Sequence, residues 1–252
     1  IISKMNDHEG FNLLKSIVQH ISWQNFENFL PKIWNLIFYR LTKTPTAKFK
    51  RGFSEIMCYL AGFHGVDGVV GSVDCVSNDN PELFGVILGN VWLKGVPQFS
   101  GEEEIKLCCV ALTRLLTQSK FMIEKYFAHW SPTLIALLKL LHQHHHQQQP
   151  QQQQHQFFEE EDDDEWEDEE GEWEEEEIAT FSELNYGRKE MSECFGEEFG
   201  RLKVENFVAE NLHRLSNEYP GKITAVISSQ LPLDAQQALQ NLLQHTNAPP
   251  LS

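Results

Sequence analysis

The sequence predicts an all-α chain, a solenoid of stacked helical hairpins (an α-α superhelix), on three observations. Apolar residues recur at helical spacing along most of the chain, and no stretch alternates as a strand would. Ser22–His64 reads as two helices back to back, broken at Thr42–Thr46. More hairpins of the same kind follow, and a single hairpin cannot offset the entropy of ordering itself unless neighbours cover it.

The first helix is expected over Asn6–His20, with Phe11, Leu14, Ile17, Val18 and Ile21 on one face and Asp7 as its cap. In the second, Trp23, Phe26, Leu30, Ile33, Trp34, Ile37 and Leu41 form one stripe behind Ser22 as N-cap. Pro31 calls for a kink or a start near Leu30, and Pro45 ends the segment, because a residue before proline avoids the α region. Phe49, Phe53, Ile56, Met57 and Leu60 make the apolar stripe of the third helix. Gly65, Gly68 and Gly71 follow, but neither the GxGxxG of a dinucleotide site nor a GK[ST] P-loop is present. A turn and short helix with Val66, Val69, Val70 and Val73 inward fits better.

Pro81 opens a helix over 81–96. Ser100–Ser119 is the next, with Ser100 as N-cap and Glu102, Glu103 and Glu104 in its first turn, where the helix dipole favours anions. The starts near Thr46 and Gly101 lie 55 residues apart, beyond the roughly 40–47 of HEAT-type repeats, and the short valine-rich helix accounts for the excess. Met122–Trp130 and Pro132–His142 complete this half. Between His142 and Gln156 lie nine glutamines and five histidines, followed by a run of carboxylates. Such a tract has nothing to bury. Residues 1–141 are therefore expected as a HEAT-type solenoid and 142–177 as a disordered Gln/His-rich and acidic insert. In 178–252, closing hairpins are expected, with helices at 203–218, 222–231 and 232–245.

The net charge of −17 is concentrated. Of 37 acidic residues 16 lie in Glu159–Glu177, which leaves 21 against 20 basic ones. A near-neutral remainder lacks the basic stripe of a nucleic-acid binder. The acidic run is read either as a solvated spacer or as an electrostatic trap for basic partners, with Phe157, Phe158, Trp166 and Trp173 as anchors. The five cysteines (Cys58, Cys75, Cys108, Cys109, Cys194) form no CxxC pair and read as reduced, buried thiols of a cytosolic or nuclear protein. No apolar run reaches the ~18 residues of a membrane span. The opening IISKMND has neither initiator methionine nor signal peptide, as expected of a piece of a longer chain.

Histidines 142, 144, 145, 146 and 155 could take up a transition metal, but nothing fixes their geometry, so adventitious affinity is the reading. No Ser/His/Asp, Cys/His or HExxH arrangement supports catalysis. No catalytic residue, metal site or cofactor is expected.

Six segments carry a resemblance: NDHEGFNLLKSIVQ (6–19), FLPKIWNLIFYRLTKTPTAKF (29–49), PELFGVIL (81–88), EEIKLCCVALTRLL (103–116), ATFSELNYGRKE (179–190) and LHRLSNEYPGKI (212–223). In their order and spacing they resemble the C-terminal region of the importin-α export receptors, karyopherins of the importin-β superfamily. The Gln/His tract and the length of the acidic run depart from that pattern, and the family's Ala-Gly-Lys-Lys element reads Tyr186-Gly187-Arg188-Lys189. The resemblance implies a HEAT superhelix that wraps importin-α with Ran-GTP, shuttles between nucleus and cytoplasm, meets nuclear pore proteins and leaves the chemistry to Ran. In such a superhelix the second helices of the hairpins line the concave wall. Lys48, Lys50, Arg51, Lys106 and Arg114 are then the expected partner-facing residues. A helical-repeat scaffold or acidic chaperone for basic proteins is the alternative.

Overall fold

The structure, a computed structural model, describes residues 7–43, 45–76, 82–148 and 197–252. Helices α1 (Asp7–His20), α2 (Trp23–Phe26), α3 (Leu30–Leu41), α4 (Ala47–His64) and α5 (Val66–Asp74) come first. Then follow α6 (Leu83–Ile87), α7 (Leu93–Gly95), α8 (Glu102–Gln118), α9 (Lys120–Glu124) and α10 (Trp130–Gln148). The final part holds α11 (Glu197–Arg201), α12 (Val204–Glu218), α13 (Lys222–Gln230) and α14 (Leu233–His245). No strand occurs among the described residues.

Packing follows chain order, as a solenoid requires. Helices α1, α4, α8 and α12 lie side by side in one row. A second layer covers them: α5 lies over α4 and α8, residues 83–95 lie on α4, and α10 lies on α8. Helices α13 and α14 close the array against α10 and α12. Helices α4 and α8 each bury one stripe against each neighbour in the row and a third against the outer layer, so α4 is buried without interruption from Phe53 to Gly62.

The kink at Pro31 takes the form of a break: a 3₁₀ turn over Glu27–Phe29 separates α2 from α3, with Pro31 in the first turn of α3. Caps differ from expectation. Gly101, not Ser100, is the N-cap of α8. Asp7 is the first residue of α1 and its carboxylate accepts from Arg40 at 2.7 Å. Thr46 caps α4 by accepting the Phe49 N–H at 3.1 Å.

The segment expected as one helix over 81–96 carries a π turn over Leu88–Trp92 between α6 and α7. Its end lies so close to α4 that a Cβ on Gly95 would overlap the Ser54 hydroxyl. That hydroxyl accommodates the approach by donating to the carbonyls of Lys50 (3.0 Å) and Trp92 (3.4 Å). Gly65 turns α4 into α5 with a φ of 84°, a conformation that a side chain strains.

Two expectations need correction. Helix α10 runs to Gln148, past the boundary placed at His142, and buries His144 to 3% exposure against α12. The tract begins helical because tertiary contact outweighs its composition. Residues 149–196, with the acidic run, Cys194 and the 179–190 segment, lie outside the described residues. Second, Cys75 is exposed just past the end of α5, unlike Cys58, Cys108 and Cys109.

Candidate partner-binding surface

The row of second helices is joined by charged side chains that reach from one helix to the next. Lys15 of α1 pairs with Glu55 of α4, with side chains 4% and 9% exposed. Arg51 of α4 meets Glu104 of α8 at 2.9 Å, where both are partly in water. Lys106 of α8 donates to the Gly200 carbonyl of α11 at 3.0 Å and lies 5.0 Å over the Phe199 ring. At the outer layer Arg40 of α3 pairs with Asp7 of α1. Asp74, at the end of α5, accepts from the Tyr126 hydroxyl (2.7 Å), Lys125 (2.7 Å) and the Phe84 N–H (3.0 Å), which ties α5 to α6 and α9.

These ties redistribute the five residues expected to face a partner. Arg51 and Lys106 are engaged within the fold. Arg114 donates to the Gly62 carbonyl, and burial holds its pKa below the ordinary range. Burial likewise lowers Lys106, opposed by the nearby Glu102, Glu103 and Glu205. Lys50 is half-buried, and Lys48 is exposed on the first turn of α4. The wall expected along 47–63 and 102–118 is therefore open mainly at the first turns of α4 and α8. Beyond them Phe53–Gly62 and Leu107–Thr113 are covered. Lys15, Glu55 and Glu104 are the charged partners that sequence reasoning missed. They lie 40 and 53 residues from their counterparts, at distances no local pattern encodes.

Cys58, Cys108 and Cys109 are buried where α4 meets α8. Burial, with the neighbouring Cys58, pushes the Cys108 thiol well above its ordinary value, and burial does the same to Cys109. Tyr126 is pushed up to about 12 by burial and its bond to Asp74. These groups stay protonated in the fold while the unfolded chain loses protons, so stability is full below about pH 8 and falls as pH rises further. The melting temperature should drop between about pH 8.5 and 10.5, and less steeply in a Cys108→Ala/Cys109→Ala variant. A parallel decline in both proteins would show the thiols are not responsible.

Among the described residues, no group of three His, Cys, Asp or Glu side chains could hold a metal ion. Nor is any described helix long and apolar enough to cross a membrane. A shallow groove of about 260 Å³ runs between Asn206, Glu210 and His213 of α12 and the tail at Thr246–Pro249.

Residues 1–242 match the family described as CAS/CSE protein, C-terminus. Exportin-2 of Xenopus laevis is 31% identical over 245 residues, which cover 97% of this chain and 23% of that protein. Exportin-2 of Homo sapiens is 29% identical over 248 residues, with the same coverage. A solved structure of the exportin Cse1 in its cargo-free, cytoplasmic state superposes with a TM-score of 0.69 at 18% identity, over 96% of this chain and 22% of that one. The chain thus spans about a quarter of the length of these relatives.

Proposed function

This chain belongs to the CAS/CSE protein family, and from that premise we propose that it forms the closing arch of a nuclear export receptor. On this reading the receptor carries importin-α out of the nucleus in complex with Ran-GTP and shuttles between nucleus and cytoplasm. The carrier is not an enzyme: hydrolysis belongs to Ran, and the arch contributes shape and charge to holding the complex. The observation that carries the proposal is the match of residues 1–242 to the C-terminal part of that family. The stacked-helix architecture is compatible with it, because a solenoid offers an extended surface for another protein.

Among the five basic residues, Lys48, exposed in the first turn of α4, is the best placed to reach a partner, with Lys50 and Arg51 beside it. Reversing Lys50 and Arg51 to Glu together should weaken a pull-down of importin-α or of Ran-GTP. Arg51→Glu alone also sets two carboxylates face to face at Glu104. An Arg51→Glu/Glu104→Arg swap restores that tie and separates lost binding from lost stability. Full recovery of both partners by the double reversal removes these residues from the interface.

The acidic run of 16 carboxylates favours a second reading, a helical-repeat scaffold or chaperone for basic proteins. Nucleotide dependence discriminates: an export receptor distinguishes GTP-loaded from GDP-loaded Ran, whereas a scaffold binds without regard to it. Binding of basic proteins that survives deletion of 159–177 would eliminate the acidic trap.

A further inference from the structure

Helix α10 gives the histidine tract a geometry that its composition lacks. The helix continues to Gln148, so positions 142, 144, 145 and 146 are all helical. Two contacts hold these turns to the solenoid. The Gln143 side-chain amide donates to the Phe99 carbonyl at 2.7 Å, and the His144 ring lies 3.5 Å from the Glu205 carboxylate of α12. Position 144 thereby belongs to the buried side of α10. Positions 142 and 146 fall on the opposite side, one turn apart, roughly 6 Å along the axis and about 40° around it. His142 is exposed, and so is His145 beside the same line. Of the 11 histidines in the chain, 142 and 146 are the one pair at this spacing.

Two histidines at i and i+4 on one helix face are spaced to bind a single transition-metal ion through both rings. Imidazole suits copper, nickel and zinc, whereas magnesium and calcium prefer oxygen ligands. We propose that His142 and His146 form a two-imidazole site for a divalent ion of the copper, nickel and zinc class, with water completing the coordination. Two protein ligands make an open, exchangeable site, distinct from the three-ligand clusters that the described residues lack. A bound ion links successive turns and so braces the last part of α10 on the side away from α12. The site stands independently of the transport reading, because it rests on the course of α10 alone.

Any histidine-rich stretch has some affinity for such ions, so the test keeps composition constant. It uses the whole chain with the exposed Cys75 replaced by serine, Ni2+ titrated by calorimetry and Cu2+ followed by electron paramagnetic resonance. The parent should bind with a Cu2+ spectrum showing two equatorial imidazole nitrogens. His146→Gln/Gln147→His keeps every histidine but sets the paired positions about 140° apart around the helix. Its affinity should fall by at least about tenfold, because the gain from two linked ligands disappears when both cannot engage together. His142→Gln should lose as much, and His155→Gln should bind like the parent. Without metal, circular dichroism and melting temperature should be the same in all four proteins. Saturating Ni2+ should slow hydrogen exchange of the amides of 142–148 in the parent and not in the swapped variant. Equal affinity of the parent and the swapped variant would mean an adventitious ion only and overturn the assignment. A Cu2+ spectrum with a single nitrogen, or equal losses in His155→Gln and His142→Gln, would overturn it too.

Discussion

Truncating Trp34 to alanine should destabilise the chain by about 3–5 kcal/mol, among the largest losses any single side chain of the fold can cause. Trp34 is 0% exposed. Its ring stacks on Phe38 at 5.7 Å and meets Phe53 edge-on at 6.3 Å. Its indole N–H donates to the Ser72 hydroxyl at 2.9 Å, which ties α3 to α5 across 38 residues of sequence. Alanine leaves a cavity between the two layers and removes that tie. Trp34→Phe keeps most of the volume and should recover much of the loss. Leu36→Ala, two residues on but 63% exposed, should stay within about 0.5 kcal/mol of the parent. Urea unfolding of the three variants measures all of this. Comparable losses at Trp34 and Leu36 would mean the two faces of α3 have been assigned the wrong way round.

Glu55→Ala should cost about 3–5 kcal/mol, for an electrostatic reason. The ammonium of Lys15 sits against Glu55 with 4% of its side chain exposed. Removing the carboxylate strands a cation between α1 and α4, where water cannot replace the lost partner. The paired replacement Lys15→Met/Glu55→Leu removes both desolvation costs together and should be close to neutral or stabilising. A double-mutant cycle by denaturant unfolding therefore predicts strong coupling of the two sites. If the single and paired variants lose the same stability, the contact is packing and not charge. The exposed Arg51–Glu104 pair provides the internal comparison. Its side chains are 39% and 24% exposed, and breaking it should cost no more than about 1 kcal/mol.

Much of the architecture was legible because helices declare themselves locally. The stripes of Phe49, Phe53, Ile56 and Leu60, and of Ile105, Cys108, Leu112 and Leu115, mark α4 and α8 by periodicity alone, and both sets are buried. Pro31, Pro45 and Pro232 punctuate the chain where proline chemistry requires it. The order of the matched segments carried the family as well. The binding surface was less legible. Lys106 and Arg114 read as wet, cargo-facing residues because a charged position on an amphipathic helix normally faces solvent. In the fold they span gaps between helices and end on the Gly200 and Gly62 carbonyls. Helix α10 likewise continued into a tract whose composition argued for its end, because α12 covers His144.

What the sequence determined by itself is most of the long helices, their apolar faces and the absence of any strand pattern, since these depend on residues within a few turns of one another. Neither α11 nor the π turn at Leu88–Trp92 was legible there. Only the tertiary structure decided which charges are tied into the fold. That choice depends on pairs such as Arg51 and Glu104, brought together by the stacking of whole helices. An ion pair across a helix–helix interface leaves no periodic trace in either partner's own neighbourhood.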